Sequence, residues 1–178
     1  HHPWVRLIAC DANLGFTAAN NVALGPWADG SAPCPERVLL LNPDAALRPG
    51  ALDALAAVLD AEPRTAVVGP SLRYPDGRFQ HAAFRFPGFV QTALDLWPIA
   101  RLADSPLNGR YRRRTYAAGR PFDVDAVLGA CMLVRGAALE AVGPLDPAFF
   151  MYCEEIDWCR RFRRAGWRVR CAPAAEVV

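Results

Sequence analysis

At 178 residues, with 53% hydrophobic and 21% charged residues, the chain is long enough for one well-buried domain and too apolar to be disordered. Its formal charge of +2, from 20 arginines without a lysine against 18 acids, is too small for nucleic-acid binding by bulk electrostatics. The six cysteines show neither CxxC pairs nor Cys/His zinc spacing, which points to free thiols in a reducing compartment, and no apolar run is long enough to span a bilayer.

Taken in chain order, Trp4–Cys10 reads as a short strand and Asp11–Gly15 as the turn after it. Phe16–Leu24 fits a helix that carries Asn20 and Asn21 inside a small, apolar pattern. Asparagine side chains compete for backbone groups, so two in a row point either to a polar task or to an early helix end. Gly25–Pro35 reads as a loop. Arg37–Leu41 is a continuous apolar run, predicted as a strand buried on both faces, and it ends at Asn42-Pro43-Asp44. Ala51–Glu62 is predicted as an amphipathic helix with Leu52, Leu55, Val58 and Leu59 on one side. Thr65–Gly69 is the next strand, and Tyr74–Arg78 has the residues of a hairpin turn.

Residues 84–120 combine Phe84, Phe86, Phe89 and Trp97 with the basic cluster Arg110, Arg112, Arg113 and Arg114. Two readings stay open there: a loop or lid over a cleft, which is favoured, and a peripheral, membrane-facing excursion. Asp123–Val134 is a second long apolar run interrupted at Gly129-Ala130, Gly136–Val142 a short helix, and Arg168–Ala172 a final strand. Alternating strands and helices give an α/β class with a mostly parallel central sheet flanked by helices. Ligands bind such sheets beyond the carboxyl ends of strands, where Asp11, Asn42–Asp44 and the acids near residue 154 all fall.

The chain is organised around Leu145–Trp167. Aromatic residues Phe149, Phe150 and Tyr152 lead into Glu154, Glu155 and Asp157, then Arg160, Arg161, Arg163 and Arg164, and Gly166 closes the helix. Acids in the first turn and arginines in the last suit the helix dipole. Ile156, Cys159 and Phe162 supply one buried stripe. Helix residues point about 100° apart, so Glu154 and Asp157 share a face and Glu155 points elsewhere. The acids read either as an ordinary N-terminal charge preference or as a general base whose apolar walls raise its pKa. Asp44 reads either as turn chemistry or as a ligand for a hard cation.

The ordered segments Asn13-Leu14-Gly15-Phe16 with Asn20-Asn21, Leu40–Asp44, Gly129–Val134, Phe149–Asp157 and Arg164–Trp167 resemble family 2 glycosyltransferases, in the branch that includes bacterial rhamnosyltransferases. The resemblance implies a GT-A fold, a nucleotide-diphosphate-sugar donor, and an inverting transfer, of rhamnose or a similar sugar, to a glycan or lipid-linked acceptor in cell-surface polysaccharide synthesis. It implies Glu155 as the catalytic base with Glu154 and Asp157 beside it. Asp44 matches the acid of the metal motif, for Mg²⁺ or Mn²⁺, with Asn42 as its neighbour. Asn13, Gly15 and Asn20 match the donor-side loop and helix, and Gly129 and Ala130 a turn where backbone passes close to substrate.

By the same resemblance, residues 1–178 are expected to be part of one catalytic domain, with the family's opening nucleotide-binding strands before His1 and its closing end past Val178. A cytoplasmic location, at the inner face of the plasma membrane, is expected. The alternative is a truncated or degenerate relative that binds nucleotide or glycan without turnover. A nucleotidyltransferase-like enzyme ranks last, since no glycine-rich, basic phosphate loop is visible.

Overall fold

The computed structural model describes residues 2–102 and 105–178; Ala103 and Asp104, inside the 84–120 stretch, lie outside the described residues, as does His1. In chain order the elements are α1 (Gly15–Ala28), β1 (Arg37–Leu41), α2 (Ala51–Ala61), β2 (Thr65–Arg73), β3 (Phe79–Gln80), β4 (Ala83–Phe84) and α3 (Phe89–Leu96). After two 3-10 turns come α4 (Arg113–Ala117), β5 (Phe122–Asp123), β6 (Ala126–Val127), β7 (Cys131–Arg135), α5 (Gly136–Val142), α6 (Glu154–Arg164) and β8 (Arg168–Val177).

The main sheet runs β1-β7-β2-β8-β5, with β3 paired on β2, and a small second sheet pairs β4 with β6. The α/β class stands, but the sheet is mixed rather than mostly parallel. Among the described residues only β2–β8 pairs in parallel; β7 enters antiparallel between β1 and β2, and β5 antiparallel beside β8. Strand–helix alternation gives β1, β2 and β8 a common direction, yet it does not say which strand is inserted between them. The apolar run over 123–134 is interrupted at Gly129-Ala130 as expected, and the part before that turn is itself divided between β5 and β6, with β7 following it.

β2 is the strand buried on both faces, with six consecutive buried residues from Thr65 to Pro70. β1 was expected in that role, but it is an edge strand and alternates, with Leu41 exposed. α2 lays Leu55, Val58 and Leu59 against the sheet while Leu52 faces solvent. Trp4–Cys10 forms no strand; these residues are exposed, and no described strand pairs with them, so local alternation there lacks the ladder a strand needs. α1 continues through Pro26 to Ala28, past the expected helix end, with the Asp29 amide donating to Gly25 O.

Two local features bring strand ends together. The Asn42 amide donates to Ala130 O at 2.9 Å, which carries the β1–β7 ladder one step beyond β1. At the end of β8, Ala46 and Val178 exchange both backbone hydrogen bonds. The carboxyl ends of β1, β2 and β8 therefore open onto the same place as the start of β7. No helix among the described residues is long and apolar enough to cross a membrane.

Candidate active site

That place is a cleft of about 400 Å³. Gly129 and Ala130 line it together with Asn42 and Asp44, and so do Glu154, Glu155, Phe16, Met151 and Tyr152. Val177 and Val178 reach it from the end of β8.

The two glutamates open α6, and the backbone before them is unusual. Tyr152 and Cys153 both adopt left-handed conformations, at φ 70° and 71°. For residues with a Cβ this costs about 1–3 kcal/mol each and persists only where surrounding structure over-determines it. The surroundings do so here. The Phe16 amide donates to Phe150 O at 3.0 Å, and Gly15, at φ +74°, has no room for a side chain, since a Cβ would stand 2.5 Å from the same oxygen. The Asn21 amide both donates to Leu145 O (2.7 Å) and accepts from the Leu145 amide (3.1 Å). On the helix side, the Trp158 indole donates to Gly143 O at 2.9 Å, and Arg161 donates to Val142 O and Pro144 O. Segment 142–153 is thus clamped from α1 and from α6. Replacing Asn21 by alanine removes two of these bonds. We expect a loss of about 1–3 kcal/mol in denaturant unfolding, from partners left unsatisfied.

Glu154 is buried, at 4% exposure, and Glu155 half-buried. Each has a buried carboxylate oxygen, Oε2, without a hydrogen-bond partner. Such groups in a native interior call for an explanation, and a ligand that donates to them is one. Burial, and then the neighbouring Glu154 charge, push the Glu155 carboxyl above its ordinary value. A carboxylate so placed is a stronger base than one in water and stands beside an open cleft.

Asp157 does not line the cleft. It accepts from Arg161 Nε at 2.7 Å, one helical turn on. The pair that reaches the cleft is Glu154 with Glu155, whereas the sequence spacing grouped Glu154 with Asp157. Asn13 and Asn20 also lie outside the lining: Asn13 Oδ1 accepts from the Gly15 amide (2.9 Å), and Asn20 donates to Phe16 O (2.8 Å). Both shape the start of α1, whose Phe16 does line the cleft. A Cβ on Gly129 would meet Glu155 Cβ and Phe16 at 3.7 Å, ordinary contact, so the protein itself has room for alanine there.

Sequence reasoning did not single out Arg73 or Gln80, which also line the cleft. Arg73 is held by Glu176, Nε to Oε2 at 2.5 Å, and donates to Gly77 O. Its signal was available: it ends a strand just before the Tyr74-Pro75-Asp76-Gly77 turn, where clefts open in α/β sheets.

The cleft's donor set limits how a divalent cation could bind. Among the described residues no cluster of three or more His, Cys, Asp or Glu stands ready to hold a metal. Asp44 is an exposed carboxylate on the cleft wall. This set fits Mg²⁺ or Mn²⁺ in one mode, bound by a single carboxylate and completed by phosphate oxygens and water.

Comparisons with known proteins identify the family. Residues 5–178 match the family described as Glycosyltransferase like family 2. Over 194 aligned residues the chain is 32% identical to the N-acetylglucosaminyl-diphospho-decaprenol L-rhamnosyltransferase of Mycobacterium tuberculosis, covering 99% of this chain and 59% of that protein. It is 42% identical to rhamnosyltransferase WbbL of Escherichia coli K12 over 55 residues, 31% of this chain and 21% of that one. The chain thus spans about three-fifths of the length of its mycobacterial relative. Among solved structures, a crystal structure of GalNAc-T7 with UDP, GalNAc and Mn²⁺ superposes with a TM-score of 0.61 at 13% identity, over 96% of this chain and 31% of that one, a likeness of GT-A fold. The chain belongs to the family 2-like glycosyltransferases.

Proposed function

We propose that residues 1–178 are the catalytic part of an inverting glycosyltransferase. It moves rhamnose or a similar sugar from a nucleotide-diphosphate donor to a glycan or lipid-linked acceptor in cell-surface polysaccharide synthesis. The observation that carries this reading is Glu155. It is a carboxylate raised above its ordinary value, with a buried unpartnered oxygen, facing the cleft that Asp44 also lines. The relative from Mycobacterium tuberculosis, named for L-rhamnose and an N-acetylglucosaminyl-diphospho-decaprenol acceptor, supports the choice of sugar.

Each side of the cleft then has a task. Asp44, with Asn42 beside it, would hold a divalent cation at the diphosphate end of the donor, where the cation would supply neutralisation of charge on the leaving diphosphate. Gly129 and Ala130 keep the floor low enough for the sugar. The acceptor hydroxyl attacks the anomeric carbon on the face opposite the diphosphate while Glu155 takes its proton. The new C–O bond forms as the bond to the diphosphate breaks, and that electron pair leaves with the nucleoside diphosphate. Burial first, and then the neighbouring Glu154, keep the Glu155 carboxyl above its ordinary value. Asp157 acts from behind by fixing Arg161 and hence the 142–144 turn.

The reaction belongs on the cytoplasmic side of the membrane, where nucleotide sugars are made. Contact with the bilayer through 84–120 is supported by α3 and the residues after it, which leave Phe89 96% and Trp97 72% exposed. A second reading, a domain that binds donor without turnover, has one observation in its favour: next to Asp44 the metal motif holds Asn42 rather than another acid. Acceptor-dependent release of nucleoside diphosphate from dTDP- and UDP-sugars decides between them, with the product's anomeric configuration read by NMR. Release with inversion is expected. Donor binding without any release supports the second reading, and retention contradicts the mechanism.

A further inference from the structure

Three carboxylates line the cleft, Asp44, Glu154 and Glu155, and among the described residues one basic side chain does, Arg73. A nucleotide-diphosphate donor brings negative charge to this place, and its diphosphate gains more as the bond to the sugar breaks. One divalent cation at Asp44 would offset only part of that charge, because the three carboxylates count against it. The cleft therefore needs a further positive group at the diphosphate, and Arg73 is the side chain present to supply it.

The fold sets Arg73 there. It closes β2 and pairs with Phe79 of β3, which fixes its backbone. Leu72, just before it, pairs with Val177 of β8, and Val177 is bridged on its other side to Leu47. Neighbouring strands lie about 4.8 Å apart, so the segment that follows Asp44 runs roughly 10 Å from the end of β2, with the end of β8 between them. Two contacts aim the guanidinium: Nε donates to Glu176 Oε2 at 2.5 Å, and Nη1 donates to Gly77 O at 3.2 Å. Nη2 donates to no described residue, and the side chain stays 45% exposed. Arg48 also approaches Glu176, at 3.9 Å, so two guanidiniums share one carboxylate and the cluster keeps an excess of positive charge. A guanidinium held this way meets phosphate oxygens with geometry as well as charge.

We propose that Arg73 binds the donor's diphosphate directly, through Nη2 and independently of the cation, and that Glu176 is its positioning residue. This rests on the reading of the cleft as the transfer site and adds a second holder of the same group. Asp44 acts from the segment after β1 and Arg73 from the end of β2. When the bond to the anomeric carbon breaks, its electron pair goes to the diphosphate oxygen, and the guanidinium stabilises that charge. A metal motif with Asn42 beside Asp44, rather than another acid, leaves part of the grip on the diphosphate to such a group.

The test is calorimetric titration of wild type, Arg73→Gln, Arg73→Lys and Glu176→Gln with the di- and monophosphates of uridine and deoxythymidine, in EDTA and in Mn²⁺. Arg73→Gln is expected to lose about tenfold or more of its diphosphate affinity in both media, and to keep its monophosphate affinity within about twofold. Arg73→Lys, a point charge without the planar fork, should recover part of that loss. Glu176→Gln leaves the guanidinium in place but unaimed, so it should lose a smaller part, again for the diphosphate alone. Exposed ion pairs contribute little to stability, so all three variants should melt near the wild type. If circular dichroism shows Arg73→Gln to be unfolded, Arg73→Lys carries the test through its own diphosphate-specific loss. Equal losses for di- and monophosphate would assign Arg73 to the shape of the cleft and overturn the proposal. So would unchanged diphosphate affinity, or a loss confined to Mn²⁺. A wild type that binds no nucleotide contradicts the donor reading itself, whereas nucleotide binding that is indifferent to Arg73 removes this proposal alone.

Discussion

Replacing Glu155 by glutamine is expected to lower turnover by about 10²–10⁴-fold while nucleotide affinity stays at the wild-type level. Glutamine keeps the size and hydrogen-bonding reach of the side chain and removes only its capacity to take a proton. The same carboxylate sets the pH dependence. The base must be ionised, so kcat/KM of the wild type is expected to fall on the acid side through a pKa above the ordinary glutamate range. That limb disappears in Glu155→Gln. Stability moves the other way. The native chain holds the Glu155 proton more tightly than the unfolded chain does. The associated stabilisation is therefore complete below the unfolded pKa and lost as pH rises through the raised one. Above that window the ionised base is a cost of folding, and Glu155→Gln is expected to melt at a higher temperature than the wild type. Below it the two should coincide. A variant less active and more stable separates a working base from a glutamate that merely starts a helix.

Asp44→Ala is expected to have its main effect on the donor. With the carboxylate gone, a cation loses its charged protein ligand on that wall, so Mn²⁺ should cease to improve nucleoside-diphosphate binding. The donor KM should rise at least about tenfold, the scale of a lost charge-assisted contact. Asp44 is exposed and makes no ion pair among the described residues, so its removal should leave the melting temperature close to that of the wild type. A fall in melting temperature that matched the fall in affinity would instead assign Asp44 to the turn.

Much of this was legible in the sequence where the signal is local. β1, α2, the start of β2, α5 and α6 follow from apolar runs and amphipathic spacing, and the glycine after α6 marks its end. The motifs around Asn42–Asp44, Gly129-Ala130 and Glu154-Glu155 supply part of the cleft lining, because each sits where an element begins or ends. What remained hidden depends on partners distant in sequence. The insertion of β7 between β1 and β2 is a matter of sheet order, which alternation does not encode. The faces of the three acids depend on where α6 starts. Two left-handed residues set that start, held from α1 by Gly15, Phe16 and Asn21. The paired asparagines of α1 do have polar tasks, and the structure finds both of them in backbone hydrogen bonds rather than in the cleft.

The central claim is that Asp44 and Glu155 serve one cleft with divided roles, donor on one side and base on the other. It is tested most directly by calorimetric titration of wild type, Asp44→Ala and Glu155→Gln with deoxythymidine and uridine diphosphates, with and without Mn²⁺. The account predicts Mn²⁺-dependent binding in the wild type and in Glu155→Gln, lost in Asp44→Ala, with the tighter nucleotide giving the donor's base. Binding that is indifferent to Mn²⁺, or equal in Asp44→Ala and the wild type, would contradict it.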